Sequence, residues 1–186
     1  MGSVPTIRPV REEELASLSA LDGQIFGRLA YPYFVLRQIY DVHRGELLVL
    51  ERRRQLCGYS VAVRSSTPGL AWFLGLGVDP GCRGRGYGRR LAEASLERLR
   101  GQGLARVRLT VEGTNRAAVR LYRQLGFVRL AEIADYLGPA EPRLLLELAL
   151  GSDSVPRSPA GVVDAQRNPP GSPGKGANSG IRLTPE

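Results

Sequence analysis

Residues 78–90 hold the densest grouping of chemically useful side chains in this sequence. Glycines at 81, 84, 86 and 88 alternate there with Arg83, Arg85, Arg89 and Arg90. The stretch leaves an apolar run and enters a long amphipathic one. Glycine permits a positive φ and lets a ligand approach the backbone. The first turn of a helix carries unpaired N–H groups and a partial positive charge. Together these make a cradle for an anion, above all a diphosphate. Spacing excludes two common diphosphate loops. One needs Gly, four residues, then Gly-Lys-Ser/Thr, and the single lysine is Lys175. The other needs Gly-x-Gly-x-x-Gly, whereas this chain reads Gly84-Arg85-Gly86-Tyr87-Gly88-Arg89. What fits is Arg83-x-x-Gly86-x-Gly88.

The elements that must position this loop follow from periodicity. Residues 4–10 read as a short strand. Residues 11–20 form a helix, with Leu15, Leu18 and Leu21 at helical spacing. A break over 24–33 contains Gly27 and Pro32, and residues 34–40 form a second short helix. Residues 46–51 and 56–63 make a hairpin about an arginine-rich turn. Residues 70–78 are the strand that enters the cradle. Gly75 and Gly77 interrupt it, which predicts a bulge or a close approach by a backbone or ligand. The helix after the cradle carries Leu91, Ala92, Ser95, Leu96 and Leu99 on one stripe and ends at Gly101 and Gly103. A strand at 106–111, a helix opened by Thr114 or Asn115 and stopped by Gly126, and strands at 127–133 and 144–150 complete the order. Strand-helix-strand units beside hairpins predict an α/β fold: a mixed sheet with helices on both faces.

Composition narrows the function class. The chain has 186 residues, 42% of them hydrophobic, enough for one domain with a real core. We assign that domain to residues 1–150. Residues 151–186 are rich in Pro, Gly and Ser and are expected to be a disordered tail. The longest apolar run, 70–78, is far short of the roughly 20 residues of a membrane helix. With no signal-peptide pattern, a cytoplasmic protein without membrane attachment is expected. Cys57 and Cys82 show neither disulfide nor zinc spacing, so they read as reduced thiols, and no metal is expected. The net charge of +8 suits a polyanionic cofactor. It does not suit nucleic acid, because no Lys/Arg stripe with interleaved aromatics is present.

A second motif joins the first. Asn115-Arg-Ala-Ala-Val-Arg-Leu-Tyr122-Arg-Gln-Leu-Gly-Phe127 resembles Asn-x-x-Ala-x-x-Leu-Tyr-x-x-x-Gly-Phe of the GNAT superfamily of N-acetyltransferases. Arg83-x-x-Gly86-x-Gly88 resembles that superfamily's diphosphate loop. Taken alone, Asn115 is an ordinary helix cap and Tyr122 an ordinary core tyrosine. The resemblance covers residues 4–150 and implies a six- to seven-stranded sheet split in a V between the strands ending at Val78 and near Val111. It implies acetyl-CoA as co-substrate, in that split. Leu76, Gly77 and Val78 would line the pantetheine through their backbones. Gly84, Arg85, Gly86, Tyr87, Gly88 and Arg89, beside Arg83, would hold the diphosphate. Asn115 would hold the amide arm, with Arg123 helping on phosphate. Val78 N–H would stabilise the oxyanion during direct attack by a neutral amine. Tyr122 would protonate the departing thiolate.

The acceptor is less closely specified. In the ribosomal-protein alanine N-acetyltransferase branch a glutamate occupies the position of Thr110. Glu112, two residues on and on Thr110's face of a regular strand, is the replacement base to test. A water relay is the other route, and His43 sits apart. An α-amine titrates near 7.7–8 and a lysine near 10.4, so a site without a strong base favours N-termini. Tyr31-Pro-Tyr-Phe and the segment from Tyr136 to Pro142 are similar to segments flanking the peptide groove of protein N-terminal acetyltransferases, though Ala140-Glu141-Pro142 replaces the usual Gly-Glu-Asp. The expected function is acetyl transfer to a primary amine, of a peptide or protein N-terminus. A small-molecule amine acetyltransferase, a non-catalytic acyl-CoA-binding regulatory module and a nucleic-acid adaptor are the competing readings.

Overall fold

Alternation in the second strand shows how the layers are built. A computed structural model describes residues 4–151. In β2 (Leu47–Arg52), Leu47 and Val49 join one apolar cluster while Leu48 and Leu50 join another. Successive strand side chains point to opposite faces, so a strand buried on both sides must lie between two helical layers. The first cluster is closed by α1 (Leu15–Phe26) and α2 (Tyr33–His43), through Leu15, Leu18, Leu36 and Tyr40. On the other face α3 (Tyr87–Gly101) buries Leu91, Ala92, Leu96 and Leu99. Beside it, α4 (Arg116–Gln124) buries Tyr122.

The remaining strands are β1 (Thr6–Pro9), β3 (Gln55–Arg64), β4 (Leu70–Val78), β5 (Arg106–Val111), β6 (Val128–Ile133) and β7 (Arg143–Ala149). The sheet order is β1-β2-β3-β4-β5-β7-β6. Every neighbouring pair is antiparallel except β4 and β5, which are parallel and joined through α3. The mixed sheet with helices on both faces is therefore present.

The split lies at that parallel pair. β4 and β5 pair from Leu70↔Arg106 to Phe73↔Leu109. Beyond Phe73, β4 follows β3 to Val78, while β5 follows β7 to Val111. The divergence starts at a bulge. Val61 faces Gly75 and Ala62 faces Phe73, so Leu74 is the extra residue; it is 41% exposed. A bulge bends and twists its strand, which here swings the end of β4 off β5.

Two expectations need correction. The first helix does not stop near residue 20 but runs to Phe26, where Gly27 ends it at φ 56°. Burial explains the extension: the position of a Gly77 Cβ lies 2.8 Å from Ile25 Cδ1 and 3.2 Å from Phe26 Cε2. The last turns of α1 are thus seated on the glycine strand. The bulge predicted at Gly75 and Gly77 forms beside them at Leu74, while the close approach comes from side chains and not from a backbone: Tyr59 at both, Val61 at Gly75, and Ile25 and Phe26 of α1 at Gly77. The expected tail falls, from residue 152 on, outside the described residues.

Candidate functional site

The cradle starts with Asp79, whose carboxylate accepts from Gly81 N–H at 2.7 Å and caps a 3-10 turn over Pro80–Cys82. Gly84 and Gly86 then take φ of 75° each. Any side chain there is strained, although no atom lies within 4 Å of either Cβ position. The open space is room for a ligand. Gly86 precedes α3, and no side chain caps that helix. The first intrahelical bond runs from Arg90 N to Gly86 O, so the N–H groups of Tyr87, Gly88 and Arg89 have no acceptor in the helix. Tyr87 gives only its backbone to this site; its side chain is buried with Leu48, Leu50, Cys57, Cys82 and Leu91. Arg83 and Arg85 are exposed on the loop. Arg83 Nε donates to Val78 O at 3.2 Å, and Arg89 pairs with Glu93.

Register decides which β4 groups face the gap. Asp79 N donates to Cys57 O at 2.9 Å, so Cys57 and Asp79 form a hydrogen-bonded pair. Antiparallel ladders alternate bonded and non-bonded pairs. Tyr59 and Gly77 are then bonded, while Gly58 opposite Val78 and Ser60 opposite Leu76 are not. The N–H and C=O of Val78 and Leu76 therefore turn away from β3, toward the space that β5 has left. Gly77, expected to line the ligand with its backbone, directs those groups into the ladder instead. Its contribution is the missing side chain.

α4 stands on the far side of the gap. Asn115 caps it, with Oδ1 accepting from Ala118 N at 3.1 Å, which leaves the side-chain NH2 to donate elsewhere. A Cβ on Gly88 would sit 3.6 Å from Val78 Cγ2 and 3.7 Å from Leu121 Cδ2, so the cradle helix, β4 and α4 meet at that residue. The Tyr122 ring packs edge-on against Phe73 and Phe127, centroids 6.5 and 5.6 Å away. Phe73 is the last β4 residue paired to β5, so Tyr122 stands at the apex of the V. Burial pushes its phenol above the ordinary value, which keeps the proton on through the neutral range. Arg123 is exposed near the end of α4.

The two segments expected to flank the acceptor are the connection after α1 and the one between β6 and β7. Tyr31 O–H donates to Leu74 O at 3.1 Å, at the bulge itself. Its backbone N–H donates to Asp22 Oδ2 at 2.5 Å. Asp22 is fully buried and also accepts from the Tyr59 hydroxyl. Burial pushes the Asp22 carboxyl up, against the pull of those two hydrogen bonds. Burial likewise raises the Tyr31 phenol, and the charge of Asp22 adds to the rise. Arg28 pairs with Glu141 across the two connections, and Arg143 also reaches Glu141. Phe26, Leu29, Leu74, Tyr136 and Leu137 leave large apolar surface exposed.

Glu112 does not meet the premise that nominated it. β5 ends at Val111, so alternation does not carry Thr110's face to residue 112. The Glu112 carboxylate accepts from Thr114 O–H at 2.6 Å inside an exposed turn. Sequence reasoning missed Asp22 and the Arg28–Glu141 pair. Asp22 had a signal, being a carboxylate four residues after Leu18 and seven after Leu15 on the buried stripe of α1. The ion pair had none.

Residues 11–127 match the acetyltransferase (GNAT) family. The chain belongs to that family. Mycothiol acetyltransferase of Mycobacteroides abscessus is 36% identical over 106 residues, 56% of this chain and 34% of that relative. The chain thus spans about a third of that relative's length. Ard1 of Thermoplasma volcanium matches with a TM-score of 0.73 at 23% identity, over 80% of this chain and 99% of the other. The ribosomal-protein-S18-alanine N-acetyltransferase of Escherichia coli matches with a TM-score of 0.68 at 19% identity, over 81% and 97%. Both likenesses are of fold. Among the described residues no cluster of three or more His, Cys, Asp or Glu is placed to hold a metal ion, and no helix is long and apolar enough to cross a membrane.

The donor of this GNAT acetyltransferase family is acetyl-CoA, and the residues fit it. The open left-handed backbone at Gly84 and Gly86, with uncapped N–H groups behind it, suits a diphosphate. Past Phe73 the pairing of β4 with β5 ends, which leaves a strand edge of the kind a thin arm can run along.

Proposed function

We propose that this GNAT acetyltransferase transfers the acetyl group of acetyl-CoA directly to a primary amine, and that the amine is the N-terminus of a peptide or protein. One observation carries the reading. The β4 bulge at Leu74 opens a gap whose one wall presents the backbone of Leu76 and Val78 and whose apex holds the Tyr122 phenol.

When bound, acetyl-CoA supplies an activated thioester carbonyl. Val78 N–H, turned to the gap, is the donor placed for a carbonyl oxygen. Leu76 offers its backbone to the amide arm, and the Asn115 NH2 offers a second contact from α4. The N–H groups of residues 87–89 hold phosphate, with charge from Arg83, Arg85 and Arg123. Tyr122 donates its proton toward the leaving sulfur. Glu112, held by Thr114, carries no step here. An α-amine titrates near 7.7–8, so a substantial neutral fraction exists near pH 7.5 and water suffices to take the proton. A protonated lysine would need a base. The apolar rim between Tyr31 and Tyr136 favours a chain entering there over a small, highly charged amine.

The test is acetyl-CoA turnover against free-N-terminus peptides, N-blocked lysine peptides, polyamines and small thiol-bearing amines. Preferential reaction of free N-termini supports the reading. Reaction of small amines alone replaces it with a second reading, favoured by one observation: the relative above is named for mycothiol. Binding of acetyl-CoA with no turnover on any acceptor would make the chain a binding module.

A further inference from the structure

Cys57 lies on β3 and Cys82 ends the 3-10 turn that opens the cradle. In sequence they are an unpatterned pair, 25 positions apart. The fold brings their Sγ atoms to 2.7 Å, about 0.7 Å beyond a disulfide bond. Both thiols are free and buried, at 2% exposure for Cys57 and 8% for Cys82. Both also wall a pocket of about 210 Å³, together with Arg52, Arg53, Gln55, Asp79 and Gly81. A small oxidant can therefore reach the pair.

We propose that Cys57 and Cys82 are a modification site, closing to a reversible intramolecular disulfide under peroxide, and that closure weakens the cradle's hold on acetyl-CoA. The second half rests on the reading of residues 83–89 as the diphosphate site; the first does not. Burial beside a second sulfur pushes the Cys57 thiol up, while Cys82 is the more exposed sulfur and attacks first. Its sulfur takes one peroxide oxygen as the O–O bond breaks. The leaving hydroxide departs as water with the Cys82 proton, and Cys82 becomes a sulfenic acid. The Cys57 sulfur then attacks the Cys82 sulfur and the S–O bond breaks. Hydroxide leaves as a second water with the Cys57 proton. Two thiols are oxidised and one peroxide is reduced.

The link to the cradle is short. Cys82 N–H donates to Asp79 O at 2.8 Å, and Arg83, the next residue, bonds the Val78 carbonyl. Drawing the Cys82 sulfur toward β3 moves this turn and the residues behind it. Closure is therefore expected to raise the acetyl-CoA Kd severalfold. By reciprocity, saturating acetyl-CoA makes the disulfide harder to form at equilibrium by the same factor.

The experiment treats the full chain with hydrogen peroxide and measures intact mass and titratable thiols after unfolding. Loss of two hydrogens, loss of both thiols and their recovery with a dithiol reductant are expected. Persistence of both thiols, a sulfinic acid, or disulfide-linked dimers would overturn the pairing. In Cys57→Ala the Cys82 sulfenic acid should persist and react with dimedone. If that variant does not fold, the mass and thiol count of the wild type decide. Calorimetric titration with acetyl-CoA then compares reduced and oxidised protein. A Kd unchanged within twofold would overturn the coupling and leave the disulfide standing. Reduced protein that fails to bind acetyl-CoA would overturn the cofactor reading and leave the thiol result untouched.

Discussion

Gly86→Ala isolates what the cradle's backbone contributes. Gly86 sits at φ 75°, ψ 9° immediately before α3. Nothing lies within 4 Å of its Cβ position, so an added methyl meets no clash and the whole effect is conformational. An L-residue in the left-handed region costs about 1–2 kcal/mol. If the substituted position stays left-handed, that cost falls on stability, and a domain of this size loses roughly 2–4 °C of Tm per kcal/mol. If it relaxes to negative φ, the N–H groups of residues 87–89 rotate off the ligand and the cost returns on binding. The two losses together should come to about 1–2 kcal/mol, a factor of roughly 5–30 if all of it appears in affinity. Gly86→Asn should lose less, because asparagine tolerates this region. Gly88→Ala is the control: Gly88 is helical, and its Cβ would make ordinary contacts at 3.6 and 3.7 Å. Thermal denaturation followed by circular dichroism gives one loss, and calorimetric titration with acetyl-CoA the other. Unchanged Tm and Kd in Gly86→Ala would refute the reasoning, as would a larger effect from Gly88→Ala.

Four further outcomes are expected. Tyr122→Phe keeps the ring packing on Phe73 and Phe127, so kcat should fall roughly 10²-fold or more with acetyl-CoA affinity little changed; an unaltered kcat removes the phenol from the reaction. Glu112→Gln should keep turnover within about threefold, against the roughly 10²–10⁴ expected for loss of a general base, and a loss of that larger size in kcat would restore Glu112 to the mechanism. Asp22 has a folded-state pKa above its ordinary value, so its protonated form favours the fold and its contribution is lost as pH rises through that pKa. Denaturant titrations should therefore show wild type losing stability relative to Asp22→Asn as pH climbs from about 4, and a gain would reverse the assignment. Arg28→Ala breaks the pair with Glu141 that joins the connection after α1 to the one between β6 and β7; if those connections flank the acceptor as proposed, acceptor KM should rise several-fold with acetyl-CoA Kd unchanged, and the opposite pattern would move them to the cofactor's side.

Much of this site could be read before folding because local spacing encodes local backbone. Gly84 and Gly86 announce left-handed turns, and the stripe from Leu91 to Leu99 announces the helix whose first N–H groups face outward. Asn115 and Tyr122 sit seven positions apart on one helix, so their relation is set by helical geometry. The true end of the first helix, at Phe26, is set by packing between layers that residue spacing does not encode. Ile25 and Phe26, in its last turn, seat on Gly77 of β4. Glu112 was nominated by strand alternation, which a sequence cannot terminate; β5 stops where its partner β7 begins.

The sequence alone determined the element order, the family motifs and the glycine-rich backbone of residues 83–89, since each depends on neighbours a few positions apart. Tertiary structure decided that Leu74 would be the bulged residue, that Val78 and Leu76 rather than Gly77 would face the gap, and that Asp22 would anchor Tyr31. It also decided that Cys57 and Cys82 would touch. Those facts depend on register between strands and on packing across layers, where a shift of one residue turns every backbone and side-chain group to the opposite side.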